Sequence, residues 1–143
     1  LGLAARYGAV PVNATRVDPV AEIRRLTKGK GVDVALELIG LPQTMRQSVQ
    51  CLGILGRAVI TGLGNKPLEI DTYRELLANE AEIIGSNDHL LQELPLLAEM
   101  ARRNVLDTSR VVTRTVPLDA DAINRALDDL EQFGSDVRTV IVP

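Results

Sequence analysis

Residues 29–40 read GKGVDVALELIG, and this stretch decides the fold. Glycines open it, an almost continuous aliphatic run follows, and Gly40 closes it. An apolar run this short, bounded by turn residues, predicts a β-strand over Val32–Ile39 that is covered on both faces. Helical patterns precede and follow it, as in an α/β unit. Ligands in such folds bind at the carboxyl ends of the strands, so Gly40 lies where a site is expected.

The chain before this strand predicts two helices and a weak strand. A short helix spans Leu1–Tyr7, and a candidate strand spans Ala9–Val12. Pro11 weakens that strand, because proline cannot donate a ladder hydrogen bond and belongs at an edge or a bulge. Asp18 is a good N-cap for the second helix, and Pro19 suits its first position.

The chain after this strand alternates between helices and strands. The spacing of apolar residues predicts a helix over Pro42–Leu52, a strand over Arg57–Ile60, a short helix over Tyr73–Asn79 and a strand over Ala81–Ile84. A glycine-bracketed turn is expected between Gly53 and Gly56.

The pattern shifts near residue 90. A longer helix is expected over Leu90–Arg103, with Leu90, Leu94, Leu97 and Ala101 on one face and Pro95 causing a kink or a late start. A strand over Val111–Val116 follows. Asp119 then caps a helix that ends at Gly134, with Ile123, Ala126, Leu127, Leu130 and Phe133 facing inward. Val137–Val142 closes the chain as a strand.

Composition excludes several classes of function. The chain has 143 residues, a net charge of -3, one Phe, two Tyr and no Trp. Nucleic-acid binding usually needs a basic face, and single-strand binding needs aromatic stacking platforms, so nucleic acid is not an expected partner. One cysteine and one histidine are too few for a typical zinc site of Cys and His ligands. No apolar run reaches a membrane span, and the absence of a disulfide framework fits a cytoplasmic location.

Three predicted strands end in glycine, at Gly40, Gly62 and Gly85. If the strands are parallel neighbours, the glycines lie along one edge of the sheet. Glycine there lets a flat ligand such as a nicotinamide approach the backbone. The alternative is that these glycines only end strands in ordinary βα turns. The dinucleotide fingerprint G-x-G-x-x-G and the P-loop pattern are both absent from the sequence.

Three single residues invite a functional interpretation, and a structural one is favoured for each. His89 opens a helix in a leucine-rich stretch, which argues against a general base. Cys51 is expected to be a small core residue on its helix. Glu37 lies late in a buried strand and must therefore be paired or solvated, which favours a structural role over catalysis.

Several stretches together resemble the C-terminal part of a medium-chain dehydrogenase/reductase of the zinc-type alcohol dehydrogenase group. They are LAARYGA at 3–9, LTKGKGVDVALELIG at 26–40, GRAVITGLG at 56–64, AEIIGS at 81–86 and VRTVIVP at 137–143. The likeness spans essentially the whole chain. Glu37 favours zinc-containing members, since zinc-free quinone-reductase relatives often have Asp there.

The resemblance implies a partial doubly wound, Rossmann-type parallel sheet that lacks its first two strands. Residues 1–87 would be part of a dinucleotide-binding domain, and residues 88–143 a C-terminal α/β segment returning to the catalytic domain. The zinc ligands, the glycine-rich fingerprint and the acidic residue that selects NAD or NADP would all precede Leu1. The chain, which starts with Leu rather than Met, is thus expected to be a fragment with no catalytic residue and no metal ligand of its own.

The resemblance also assigns cofactor contacts. Leu38, Ile39 and Gly40 match the segment over which the adenosine side of the cofactor passes. Thr61, Gly62 and Leu63 match the segment whose backbone holds the nicotinamide. The remaining matches are Ser86 and Asn87, near the carboxamide, and Arg138, which pairs with the pyrophosphate through parallel hydrogen bonds.

The function implied is part of an NAD(P)-dependent alcohol dehydrogenase, in which zinc polarises an alcohol or carbonyl substrate and hydride passes to or from the nicotinamide. The isolated chain is expected to be inactive. Alternatives are a zinc-free quinone or enoyl reductase of the same superfamily, or a non-catalytic nucleotide-binding or assembly module. A homodimer is expected through the edge strand Ala81–Ile84. Without the first two strands, Val32–Ile39 would expose an apolar edge. Three outcomes are expected as alternatives: the first 30 residues are rearranged or poorly ordered, another chain covers this edge, or the N-terminal part of a longer parent is absent.

Overall fold

The computed structural model describes residues 1–107, 111–132 and 136–143. These residues form two compact units, Leu1–Asp88 and His89–Pro143. The first unit contains, in order, α1 (Gly2–Arg6), α2 (Pro19–Leu26), β1 (Val32–Glu37), α3 (Pro42–Gln50), β2 (Leu52–Ile60), a π-helical turn (Thr72–Leu76), a 3-10 turn (Leu77–Asn79) and β3 (Glu82–Gly85).

The start of α2 follows the capping rules that its sequence suggests. Asp18 has an extended backbone, and its Oδ1 accepts a hydrogen bond of 2.9 Å from the backbone N–H of Ala21. Pro19 occupies the first turn, where its missing N–H has no intrahelical partner to lose. The predicted helix start is confirmed.

The sheet of the first unit is wholly parallel, in the order β1-β2-β3. Glu37 pairs with Ile60, and Ile60 pairs with Gly85, so all three strands end at the same edge. Parallel strands joined by helical connections confirm the predicted α/β class. Within the described residues, β1 and β3 are the two edge strands of this sheet.

The predicted strand at Ala9–Val12 is wrong. Residues 9–13 adopt no strand pairing in the structure. Pro11 cannot donate to a ladder, and the described chain offers this segment no neighbouring strand, so neither local chemistry nor pairing stabilises an extended ladder there.

The prediction that β1 is covered on both faces is wrong for the described residues. Val34 is 52% exposed and Leu36 is 65% exposed. The strand also ends at Glu37 rather than at Ile39. An apolar run indicates a strand that can be buried, but other elements must pack against its faces to bury it. Among the described residues, β1 is also an edge strand, with a neighbouring strand on one side only.

The core of the first unit lies between α3 and the sheet. Val49 and Leu52 are fully buried, and Ala58 completes the cluster. Leu52, predicted as the last residue of the helix, instead begins β2. The turn expected at residues 53–56 is an irregularity inside β2, where the register shifts and Leu55 takes a positive φ of 59°.

The second unit contains a 3-10 turn (Leu91–Glu93), α4 (Leu94–Arg102), β4 (Arg114–Pro117), α5 (Ala120–Glu131) and β5 (Thr139–Val142). α4 begins one residue before Pro95, which confirms the late start expected of a proline-containing helix. β4 and β5 form a parallel two-stranded sheet. Val116 of β4 packs with Ala122 and Ala126 of α5.

The predicted inward face of α5 is partly wrong. Asp119 caps the helix as expected, accepting from the backbone N–H of Ala122 at 2.9 Å. Ala122 and Ala126 are buried, but Leu127 and Leu130 are each 55% exposed. A two-stranded sheet is too narrow to cover the whole apolar stripe of the helix. Phe133 and Gly134 lie outside the described residues.

Candidate functional site

The carboxyl edge of the three-stranded sheet carries two loops that pack against each other. Residues 38–41 follow β1 and are here called the Gly40 loop; residues 61–64 follow β2 and are called the Gly62 loop. Because β1 and β2 are parallel neighbours, both loops leave the sheet side by side. This is the edge at which ligands bind in open α/β folds.

Three glycines permit the close approach of these loops. A Cβ at Gly40, where φ is +87°, would collide with the backbone carbonyl of Leu63. A Cβ at Gly62 would collide with the backbone nitrogens of Ile39 and Gly40, and one at Gly64 with the carbonyl oxygen of Gly40. Backbone atoms of the opposite loop therefore occupy the space that a side chain would need at each of these glycines.

Gly85 differs from the other two strand-end glycines. A Cβ at Gly85 would meet no atom within 4 Å, and Gly85 is exposed. The next residue, Ser86, donates its backbone N–H to the carbonyl of Ile60 at 2.9 Å. The carboxyl end of β3 thus leaves open space beside the sheet, whereas the ends of β1 and β2 are filled by their own loops.

Glu37 joins both loops to the end of β1. Its carboxylate accepts hydrogen bonds from the backbone N–H groups of Ile39 and Gly40 at 3.0 Å each, and from the hydroxyl of Thr44 at 2.7 Å. Its backbone carbonyl accepts from Thr61 and Gly62 at 2.9 and 3.0 Å. The side chain is 3% exposed. A single buried residue therefore contacts the two loops and the first turn of α3.

These bonds keep the carboxyl group of Glu37 ionised. Burial raises the pKa of Glu37, but the hydrogen bonds from Thr44, Gly40 and Ile39 lower it by more, so the pKa lies below its usual range. The expectation that this carboxylate is satisfied is confirmed. The sequence did not reveal that its backbone carbonyl and its carboxylate hold different loops.

The residues expected to contact a cofactor fall into two groups. Eight belong to the first unit and follow the three parallel strands at one edge: Leu38, Ile39, Gly40, Thr61, Gly62, Leu63, Ser86 and Asn87. Of these, Gly40 is buried, whereas Leu63 is 88% exposed and Ile39 is 64% exposed. Arg138 belongs to the second unit, where it is exposed and its carbonyl accepts from the N–H of Thr113 at 3.0 Å.

An open cleft of about 570 Å³ lies along β1 and reaches the same edge. Its lining is mostly apolar and includes Ile23 of α2, Val34 and Leu36 of β1, and Ile39 of the Gly40 loop. Glu37 and Thr44 contribute polar groups at one end. The cleft therefore meets the Gly40 loop at the carboxyl end of β1.

The described residues do not fit a zinc site. Among residues 1–107, 111–132 and 136–143, no group of three or more His, Cys, Asp or Glu side chains could hold a metal ion. Cys51 is buried, and burial raises the pKa of its thiol, which confirms its expected place in the core. In the same parts of the chain, no helix is long and apolar enough to cross a bilayer.

Comparisons with known proteins relate the chain to dehydrogenases. Residues 1–102 match the family described as zinc-binding dehydrogenase. An NAD-dependent alcohol dehydrogenase from Sulfurisphaera tokodaii is 35% identical over 147 residues, covering 100% of this chain and 40% of that protein. The (R,R)-butanediol dehydrogenase of Bacillus subtilis is 31% identical, covering 98% of this chain and 40% of that protein.

A solved structure shows the same likeness in three dimensions. The alcohol dehydrogenase from Aeropyrum pernix superposes with a TM-score of 0.83 at 33% identity, covering 100% of this chain and 40% of that one. The chain therefore spans about two fifths of the length of the relatives that it matches.

Proposed function

Because the chain belongs to the zinc-binding dehydrogenase family, we propose that it forms the later strands of the coenzyme domain of an NAD(P)-dependent alcohol dehydrogenase. In this proposal, residues 1–87 are part of the dinucleotide-binding domain and residues 88–143 return to the catalytic domain. The observation that carries it is the edge of the parallel sheet, where β1, β2 and β3 end together in glycine-containing segments.

The geometry of this edge fits a flat, extended ligand. The Gly40 loop and the Gly62 loop form a continuous backbone surface, flanked by exposed apolar side chains such as Ile39 and Leu63. The open space beside Gly85 supports the assignment of Ser86 and Asn87 as further contacts. Backbone groups and apolar surface are what a planar ring with a carboxamide requires.

The dinucleotide, when bound, supplies the hydride donor or acceptor. The chain's own residues bind and orient it: Leu38–Gly40 contact the adenosine side, Thr61–Leu63 hold the nicotinamide through the backbone, and Ser86 with Asn87 lies near the carboxamide. Arg138 binds the pyrophosphate, because a guanidinium can donate two parallel hydrogen bonds to phosphate oxygens. No catalytic residue and no zinc ligand is assigned to this chain.

The names of the relatives support an alcohol dehydrogenase over the alternatives. The Sulfurisphaera and Bacillus proteins carry the names of alcohol and butanediol dehydrogenases, whose substrates are alcohols. Neither name supports a quinone or enoyl reductase, and neither supports an assembly module without chemistry. An alcohol or carbonyl compound is therefore the proposed small-molecule substrate of the whole protein.

Two further properties are proposed with this function. A homodimer forms through the free edge of β3, whose four residues are all exposed. The protein acts in the cytoplasm, which the single free cysteine supports because a reducing compartment needs no disulfides. The isolated 143-residue chain does not oxidise alcohols.

Calorimetric titration of this chain with NAD⁺ and with NADP⁺ tests the proposal. We expect binding of at least one nucleotide, with a Kd on the order of 1 mM because only part of the site is present. We expect no alcohol-dependent NADH or NADPH in the same sample. Absence of binding by either nucleotide would overturn the coenzyme role, and turnover would overturn the proposed inactivity.

A matched pair of variants places the bound nucleotide. Leu63→Glu puts a carboxylate on the proposed nucleotide surface and should weaken binding, because it repels the phosphates. Ile54→Glu makes the same change at a residue that is 76% exposed, near the amino end of β2, and should leave binding unchanged. Equal effects of the two variants would contradict the assignment of the Gly62 loop.

A further inference from the structure

Glu37 is bonded to two loops by different atoms. Its carboxylate accepts from Ile39 and Gly40 in the Gly40 loop, and its backbone carbonyl accepts from Thr61 and Gly62 in the Gly62 loop. Gly40 receives a second contact, because its N–H also lies 3.1 Å from the other carboxylate oxygen.

The loops are also held to each other sterically. The backbone of Gly40 occupies the space that a side chain would need at Gly62 and at Gly64, and the carbonyl of Leu63 occupies the corresponding space at Gly40. A shift of the Gly40 loop toward the Gly62 loop must therefore displace the Gly62 loop. Backbone packed against backbone has no flexible side chain through which to absorb such a shift.

We propose that Glu37 is a positioning residue that fixes the Gly40 loop and the Gly62 loop as one preorganised wall of the nucleotide site. This inference rests on the proposed function for the identity of the ligand, but the coupling of the two loops does not depend on it. Glu37 touches no ligand in this account. It acts by presenting the backbone of both loops in one arrangement before the nucleotide arrives, which lowers the ordering cost of binding.

An ionised carboxylate suits this role better than an amide. Both of its oxygens accept hydrogen bonds, and here they receive four contacts from Ile39, Gly40 and Thr44. A glutamine has one accepting oxygen, and its NH₂ group would face the N–H of Gly40. The Gly40 N–H contacts both carboxylate oxygens, so it faces the NH₂ group in either orientation of the amide. The Glu37→Gln variant therefore keeps the shape of the side chain but weakens the hydrogen bonding of the Gly40 loop.

Amide hydrogen exchange without nucleotide tests the coupling. In Glu37→Gln, exchange should rise roughly tenfold at Gly40, whose N–H contacts both carboxylate oxygens and so faces the new NH₂ group in either orientation. The decisive amides are those of Thr61 and Gly62. They bond to the backbone carbonyl, which the variant retains, so their exchange should rise only if the loops move as one body.

Two further variants control for stability and folding. Glu75→Gln alters a second hydrogen-bonded carboxylate, which accepts from Arg46, Gln50 and the N–H of Asp71 and contacts neither loop. It should leave exchange at Thr61 and Gly62 unchanged. Thr44→Val removes one donor to the carboxylate but keeps its charge, and should raise exchange at Gly40 and Gly62 by a smaller factor than Glu37→Gln.

A second experiment measures the nucleotide affinity of the same variants. If the wild-type chain binds a nucleotide, Glu37→Gln should raise Kd roughly tenfold, while Glu75→Gln should not. If the wild-type chain binds none, the proposed function fails and the exchange measurement still decides the coupling. Unchanged exchange at Thr61 and Gly62 in both Glu37→Gln and Thr44→Val would overturn the inference, as would an equal rise in Glu75→Gln.

Discussion

The Cβ that any other residue would place at Gly40 falls on the backbone carbonyl of Leu63. The backbones that follow the two parallel strands β1 and β2 therefore approach each other closely at Gly40 and Leu63. Gly40 also has a φ of +87°, a conformation that side chains disfavour. The glycine is thus needed twice, once for its own conformation and once for the approach of its neighbour.

Replacement of Gly40 by alanine should destabilise the first unit. The positive φ and the collision with Leu63 act together, so we expect a loss of about 2 kcal/mol or more in the free energy of unfolding. Chemical denaturation followed by circular dichroism measures it. Gly85→Ala is the matched control, because its Cβ meets nothing within 4 Å, and it should cost no more than about 1 kcal/mol. Equal losses in the two variants would contradict the packing described for Gly40.

The stability of the first unit should fall in acid because of Glu37. Its pKa in the folded chain lies below the ordinary value, so the stabilisation is fully present above the unfolded pKa of about 4.3. It is lost as the pH falls from there through the folded pKa. Urea titrations between pH 7 and pH 3 should show this loss, and Glu37→Gln should show a smaller one over the same range. An identical pH dependence in both proteins would exclude Glu37 as a cause.

Dimer formation should depend on the free edge of β3. A lysine on an edge strand opposes pairing with another chain, so Ile83→Lys should shift the sedimentation profile from dimer to monomer. Val34→Lys makes the same change on the other edge strand, β1, and should leave the dimer intact. If Val34→Lys alone abolishes the dimer, the chain associates through β1 instead.

The cap of α2 should contribute modestly to stability. Asp18→Ala removes the hydrogen bond to the N–H of Ala21 and should cost about 1 kcal/mol. Asp18→Asn keeps an accepting oxygen at the same place and should cost much less. Thermal unfolding of the wild-type chain and both variants measures this, and equal melting temperatures in all three would show that the cap contributes nothing.

Local sequence chemistry predicted the elements that depend on local interactions. The strand predicted over Val32–Ile39 appears as β1 over Val32–Glu37, and the caps at Asp18 and Asp119 are both present. Leu52 shows the limit of this reasoning. Its spacing suits the apolar face of α3, yet it begins β2, because pairing with Val32 and full burial outweigh helical periodicity.

Elements that depend on distant partners could not be predicted in the same way. Ala9–Val12 has the composition of a strand but no strand beside it within the described residues. Leu127 and Leu130 have helical apolar spacing, but the narrow sheet under α5 does not cover them. A pattern shows which surface a segment could bury, and only the neighbouring elements decide whether it is buried.

The sequence predicted that Gly40 and Gly62 lie along one edge of the sheet, and the parallel pairing of β1 and β2 confirms this placement. That this edge binds a cofactor stays a prediction. The role of these glycines in the structure is the approach of one loop to the other, which sequence spacing cannot distinguish from the approach of a ligand. Glu37 binds one loop through its carboxylate and the other through its backbone carbonyl. This arrangement depends on the register of β1 and β2, so it too required the structure.

The most direct test of the account maps a bound nucleotide on the chain itself. Backbone amide shifts should be recorded while NAD⁺ and then NADP⁺ are added to millimolar concentration. The account predicts saturating changes in the Gly40 loop, in the Gly62 loop and at Ser86 and Asn87. Changes confined to residues outside these segments, or no saturating change with either nucleotide, would contradict it.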